Sequence, residues 1–206
     1  MSLHLSDYRL VDRGQASLGA TLLANRQAAD VLTALGWDNE DGGTYRLFNP
    51  FNPEQPLLES SPGTYTVRPG WDRHPVVGMS WDGATRLAAA LGLRLPTVAE
   101  LTAAAGRGKF PWGDEPLTPD RANYGEHIGS TTRVDAHPLT GEGFHDLVGN
   151  LAEWTCTPNS RSPLEAMVVG GGWNKPPAQV PIRHHRSKWK RVGTMSIGFR
   201  LAKDTP

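Results

Sequence analysis

Glycine and proline punctuate this chain from end to end: 23 glycines and 17 prolines are spread through 206 residues rather than gathered in a linker. Each one turns the backbone or removes a hydrogen-bond donor, so long helices and strands cannot persist between them. The pattern predicts a loop-rich domain with few regular elements. With 38% apolar residues the chain is long enough to bury one hydrophobic core, and its 20% charged residues set it apart from disordered sequences. It holds no internal repeat and no low-complexity tract.

Three stretches keep a helical period. Ala24–Leu35 ends at Gly36, a glycine suited to a left-handed C-cap. Trp81–Leu91 follows Ser80 as N-cap and ends at Gly92. Val98–Ala105 follows Thr97, and Thr97-Val-Ala-Glu100 has the spacing of a capping box. Tyr45–Phe48, Thr64–Val67, Val168–Val169 and Ile197–Leu201 read as short strands, the last tying down the C-terminus. The stretches 49–61 and 113–141 show little periodicity, and long irregular loops in a compact domain usually carry function.

Formal net charge is zero but unevenly spread: residues 1–165 hold 13 Lys+Arg against 20 Asp+Glu, and residues 166–206 hold 8 Lys+Arg against Asp204 alone. Two readings compete. In one, a basic C-terminal segment packs on an acidic body; in the other, it forms a basic surface for an anionic partner. The zero net charge weighs toward the first and against a dedicated nucleic-acid binder. The single cysteine, Cys156, excludes an internal disulfide and a cysteine-rich zinc site, and it suits a reducing compartment. No apolar run approaches the ~20 residues of a membrane helix, and the opening MSLHLSDYRLV lacks the apolar core of a secretion signal. The expectation is a cytoplasmic protein with no membrane segment.

The stretch GGGWNKPPAQVPIRHHRSKWKR, residues 170–191, invites several readings. It is no phosphate loop: no Gly-Lys-Ser/Thr follows the glycines, and Pro176 and Pro177 oppose a helix there. His184 and His185 are adjacent, point apart on any regular backbone, and have no third ligand at metal spacing. No Gly-x-Ser-x-Gly elbow occurs anywhere in the chain.

Eight short motifs occur in order: VVGMSWDGA (76–84), RLPTVAEL (94–101), FPWGDE (110–115), ANYGE (122–126), TTRVDAHP (131–138), GFHDLVGNLAEWT (143–155), GGGWN (170–174) and IGFRLA (197–202). Together they resemble the formylglycine-generating enzyme, or sulfatase-modifying factor, family over about residues 75–202; residues 1–74 match it poorly. The resemblance implies a single domain over residues 1–206. Its fold class is α+β: an irregular, loop-rich C-type lectin-like fold with two to three helices and small antiparallel sheets.

The resemblance also implies sites. A structural calcium falls on Asp146, the carbonyls of Gly149 and Leu151, and Glu153, and the two carboxylates flanking a glycine turn are hard oxygen ligands of the right kind. A second, less complete metal set falls on Asn123, the carbonyl of Tyr124, and Glu126. The family's oxidation of a sulfatase cysteine uses a copper-binding cysteine pair just after the GGSW-like turn; here those positions carry Lys175 and Val180, neither of which supplies a thiolate. Copper and the copper oxidase reaction are therefore not expected, no catalytic residue is assigned, and Cys156 is expected to be a small buried residue.

In this fold the resemblance makes the segment between GGGW and IGFRLA, residues 173–196, the ligand-facing surface. It holds Trp173, Lys175, Arg183, His184, His185, Arg186, Lys188, Trp189, Lys190 and Arg191, and Arg and Trp dominate binding hot spots. Trp173 is expected in the core and Trp189, flanked by lysines, on the surface. The reading that follows is a non-catalytic binding module for a protein, peptide or other ligand of acidic character. Variable proteins of diversity-generating retroelements and toxin-neutralising immunity proteins are examples of such modules. The alternative is a divergent oxidoreductase of the same superfamily that needs a different metal or a partner.

Overall fold

A computed structural model describes residue 5, residues 7–37 and residues 53–205. The expected strand Tyr45–Phe48 lies outside the described residues. In chain order the elements are β1 (Leu10–Asp12), β2 (Ala16–Gly19), α1 (Asn25–Leu35), β3 (Leu57–Ser61), β4 (Thr64–Val67), α2 (Trp81–Ala90), α3 (Val98–Ala104), β5 (Ala152–Pro158), β6 (Glu165–Val169), β7 (His185–Trp189), β8 (Ile197–Gly198) and β9 (Ala202–Asp204).

The helices form where their caps specify. Gly36 closes α1 in the left-handed conformation at φ 59°, with its N–H on the last carbonyls of the helix. Ala24 has no capping oxygen; instead the Gln27 side chain reaches back to the Ala24 N–H at 3.0 Å. Ser80 caps α2 by accepting from the Gly83 N–H. At α3 the Thr97 hydroxyl accepts from Glu100 N–H at 3.1 Å while the Glu100 carboxylate accepts from Thr97 N–H at 2.7 Å, which is the expected capping box.

Three small sheets carry the strands, in the orders β1-β2-β9, β3-β4 and β7-β6-β5-β8. All pairings are antiparallel except β5 with β8, which run parallel. Of the final strand expected over Ile197–Leu201, only Ile197–Gly198 forms one, β8 on β5, and a separate strand beyond it, β9, pairs with β2 in another sheet. The link over 199–201 crosses between them, its Phe199 and Leu201 carbonyls accepting from Leu23 and Gly19 N–H. Both apolar side chains are buried, so the crossing is part of the core.

The main core lies between α1, α2 and the four-stranded sheet, around Trp154, Leu32, Leu87, Met79, Val168 and Phe199, and a second cluster joins α3 to Phe144, Leu147 and Ile182. Between α3 and β5 the chain has no regular element among the described residues. It is held by apolar anchors such as Phe110, Tyr124 and Val148, and by backbone contacts such as Asn150 N–H to Asn123 O at 2.8 Å. No described helix is long and apolar enough to cross a membrane.

Candidate functional site

Two tight turns lie back to back at the centre of the candidate region. The first is Gly149-Asn150. Gly149 has φ 80°, and a Cβ there would lie 2.5 Å from the Asn123 carbonyl oxygen, so the close approach requires glycine. Asn150 is fully buried at φ 57°. Its amide clamps Thr132, accepting from the Thr132 N–H at 3.0 Å and donating to the Thr132 carbonyl at 3.1 Å, and it donates to Asp146 Oδ2 at 2.9 Å. Its own carbonyl accepts from Trp173 N–H at 2.8 Å, which docks the second turn on the first. Sequence reasoning passed over Asn150, although a buried Asn in the left-handed region is the residue such a turn favours.

The second turn is the glycine run. A Cβ on Gly171 would lie 2.2 Å from the Gln179 carbonyl oxygen, and one on Gly172 would lie 2.9 Å from that of Ser196. These glycines serve close packing of backbone on backbone. Trp173, which follows, is half-buried against Leu22, Val77, Val134 and Leu151, and its indole N–H donates to the Met195 carbonyl at 3.3 Å. With Arg68, Trp71, Val77, Thr131 and Met195 it lines an open cavity of about 270 Å³. Those partners come from separate stretches of sequence, and no spacing signal links them.

The two positions to which the resemblance assigns the copper cysteines carry Lys175 and Val180. Val180 is fully buried among Phe110, Ala122, Tyr124 and Val148, an apolar nest with no soft ligand. Lys175 is half-buried, with its backbone on Gly172 and Gly125. Cys156 lies on β5, half-buried against the main core, and burial pushes its thiol pKa up, with smaller opposing effects from Arg94.

The implied calcium residues hold different partners. Glu153 and Arg200 form a buried bidentate pair, Nε to Oε2 and Nη2 to Oε1 both at 2.8 Å. Arg200 also donates to the carbonyls of Gly19 at 2.9 Å and His145 at 3.0 Å. Burial alone would lower the Arg200 pKa, but the facing Glu153 carboxylate more than offsets it and holds it above its ordinary value. Asp146 keeps one buried oxygen, Oδ1, without a hydrogen-bond partner, 3.4 Å from His137 Nδ1. A calcium ion drawing on Glu153 would sit against a buried guanidinium. No three His, Cys, Asp or Glu side chains among the described residues converge as a metal site. As placed, the Glu153 carboxylate is engaged by Arg200, and of the two implied carboxylates only Asp146 has an oxygen without a hydrogen-bond partner. In the second set Asn123 is buried and donates its amide N–H to the Ser130 carbonyl while its Oδ1 has no hydrogen-bond partner, the Tyr124 carbonyl accepts from His127 N–H, and the Glu126 side chain is exposed.

The basic segment divides. Arg183 donates to the Gly106 carbonyl and Arg186 to the Gly170 carbonyl at 2.6 Å, so these two guanidiniums meet carbonyls rather than carboxylates. Burial lowers the pKa of Arg186. Burial lowers that of His185 as well, assisted by neighbouring His184 and Arg183. Lys190 lies over the Trp81 ring, 4.5 Å from its centroid. Trp189 is 56% exposed and is flanked in sequence by exposed Lys188 and, two residues on, exposed Arg191. Trp173 and Trp189 thus belong to different surroundings, one beside Met195 and Trp71, the other at the far end of β7.

The comparisons agree with this architecture. A family model described as a sulfatase-modifying factor enzyme 1-like domain matches residues 24–205. A Chlamydia pneumoniae protein named serine/threonine-protein kinase pkn1 is 38% identical over 169 residues, covering 71% of this chain and 27% of that protein. This chain thus spans about a quarter of that relative's length, and it contains neither the His-Arg-Asp nor the Asp-Phe-Gly triplet of protein kinases. Among solved structures, PvdO from Pseudomonas aeruginosa superposes with a TM-score of 0.71 at 20% identity, over 92% of this chain and 80% of PvdO. Treponema denticola variable protein 1 superposes with a TM-score of 0.67 at 17% identity, over 98% and 94%. At such identities the superpositions speak to fold alone, which is the irregular α+β fold described above; the family model supplies the membership, and this chain belongs to the sulfatase-modifying factor enzyme 1-like family.

Proposed function

We propose that this domain is a binding module without oxidase chemistry, recognising a protein or peptide ligand on the face to which residues 173–196 contribute. The observation that carries the reading is Val180. The position that would hold a copper thiolate is filled by a fully buried valine in an apolar nest, and its companion position is Lys175. A few residues further on, the same segment presents an exposed tryptophan among basic side chains, the composition of a binding hot spot rather than of a catalytic cleft. The fold shared with a variable protein supports the same reading. The basic character of the segment selects an acidic ligand.

The test is comparative capture from the native lysate, with wild-type domain against a Trp189→Ala/Lys188→Glu variant. These side chains are exposed, so the variant should melt within about 2 °C of wild type. Proteins retained by wild type should be lost by the variant. Unchanged capture removes this face from the function. Stoichiometric copper or iron in the purified protein overturns the binding-module reading in favour of a redox enzyme.

A further inference from the structure

We propose that β7 is an acceptor edge: an extended acidic segment of the ligand adds to the four-stranded sheet as a fifth strand alongside His185–Trp189. This rests on the binding-module reading and specifies how that face takes its ligand.

The argument begins with the ladder. β7 is the outer strand of the order β7-β6-β5-β8 and pairs on one side only, antiparallel with β6. Lys190 N–H bonds Leu164 O, and Gly170 N–H bonds His184 O, at the two ends of the ladder. In an antiparallel ladder hydrogen-bonded pairs alternate with non-bonded ones. Between those ends the even-numbered Arg186 and Lys188 therefore face β6. His185, Ser187 and Trp189 turn their backbone groups outward. The Trp189 carbonyl accepts from Val192 N–H. The N–H groups of His185, Ser187 and Trp189, and the carbonyls of His185 and Ser187, have no partner among the described residues. That is a five-residue template of about 17 Å.

The side chains choose the occupant. Arg186 and Lys188 alternate with Ser187 and Trp189 along the strand. A second copy of β7 paired antiparallel about Ser187 would set Arg186 against Lys188, and like charges directly opposite destabilise a sheet. The edge thus rejects itself. An incoming strand with carboxylates at alternate positions meets exposed Lys188 and the remaining guanidinium donors of half-buried Arg186, whose Nη1 is held by the Gly170 carbonyl, and its intervening apolar side chains meet Trp189. The only carboxylate on β6, Glu165, is already turned onto the Ser187 hydroxyl at 2.7 Å and the Asn159 amide at 3.0 Å. A lysine on an edge strand also guards it against aggregation. Guarding alone leaves unexplained why the strand ends on Trp189, a large apolar side chain more than half exposed.

The experiment uses the whole domain and synthetic heptapeptides of alternating Glu and Val, alternating Lys and Val, and the Glu/Val peptide N-methylated at alternate residues on the bonding side. Titration calorimetry is combined with amide exchange read by NMR. The Glu/Val peptide should bind, the Lys/Val peptide should not, and N-methylation should weaken binding about tenfold or more, the net worth of one or two hydrogen bonds. Exchange at His185, Ser187 and Trp189 should slow on binding. Ser187→Pro removes an outward N–H without touching the β6 ladder and should weaken the peptide similarly. Lys188→Glu, which leaves the backbone intact, should reverse the preference between acidic and basic peptides.

If the acidic peptide binds but N-methylation and Ser187→Pro change nothing and the three amides stay unprotected, strand addition is wrong, while the binding face stands. If the acidic and basic peptides bind equally, or neither binds, the proposal falls. The lysate comparison with the Trp189→Ala/Lys188→Glu variant then decides separately whether the binding-module reading falls with it.

Discussion

Replacing Glu153 with Gln keeps the side chain's shape, removes its charge, and turns one of the two acceptors facing Arg200 into a donor. Arg200 has no exposed surface, so its positive charge cannot turn to water when the carboxylate goes. It retains neutral acceptors alone: the carbonyls of Gly19, Ala20 and His145 and the one oxygen of the new amide. Neutralising one member of a buried pair costs about 3–5 kcal/mol. At roughly 2–4 °C per kcal/mol for a domain of this size, the melting midpoint should fall by about 6–20 °C. Circular dichroism during heating and in urea measures it. Arg200→Met leaves Glu153 buried alone and should cost a similar amount. The double variant removes both charges and should recover part of the loss, giving a coupling of about 1–3 kcal/mol in the cycle. Because the counter-ion is a guanidinium, EGTA should leave the wild-type midpoint unchanged. A loss under about 1 kcal/mol for Glu153→Gln, or strict additivity in the cycle, refutes the pairing argument. A midpoint that falls on chelation and returns with added calcium places a metal at this carboxylate after all.

Three further outcomes follow from the same coordinates. Burial holds the Cys156 thiol above its ordinary pKa, so at neutral pH it should react with an aromatic disulfide at least about tenfold more slowly than in urea-unfolded protein; equal rates would show an open thiol. Gly171→Ala drives a Cβ toward the Gln179 carbonyl oxygen at 2.2 Å and should cost about 1–3 kcal/mol by overpacking, and an unchanged midpoint would show that the turn can move aside. Burial depresses the His74 pKa despite its hydrogen bond with Thr131. Its neutral form therefore adds stability that is present above the unfolded value of about 6.5 and is lost as pH falls through the lower folded value. His74→Gln should accordingly flatten the decline in melting midpoint between about pH 7 and 5, and an unchanged slope would assign that decline to other groups.

What could be read from the sequence was whatever is local. The Thr97–Glu100 box and the Gly36 cap each act within one turn of helix, so they specify α3 and the end of α1 without help from tertiary structure. The strands are another matter. β7 reads His-Arg-Ser-Lys-Trp, with no apolar alternation to mark it, because an edge strand whose side chains face largely outward needs none. β5 opens with four consecutive buried residues, so period-two alternation is lost there as well. The final stretch reads as one strand, yet its middle serves the core between two sheets. The candidate surface suffered in the same way. Ten residues that are neighbours in sequence were grouped as one face, but Trp173 is tied to Asn150 and Met195, whereas Trp189 is exposed at the end of β7. The pairing of Glu153 with Arg200 left no local signal, because the two lie 47 residues apart in sequence.

The division between fixed and free positions along this segment is itself an argument about use. Gly171, Gly172 and Val180 cannot change, since each is pressed against backbone or apolar core. Arg186, Lys188 and Lys190 hold the strand to β6 through main-chain bonds that do not depend on the side chain, and the side chains of Ser187, Lys188 and Trp189 carry none of the core. Substitution there alters what the edge recognises at little cost in stability, whereas substitution at the glycine turn alters whether the edge exists. A scaffold pinned by buried turns and one buried ion pair, with a variable polar strand at the margin of its sheet, separates folding from recognition. That separation predicts the pattern of tolerated mutations: in a deep scan read by thermal stability, positions 187–189 should accept most residues, and positions 171, 172 and 180 should accept almost none. Intolerance at 188 and 189 in a stability screen would mean that the exposed tryptophan and lysine hold the fold, and the recognition argument would lose its footing.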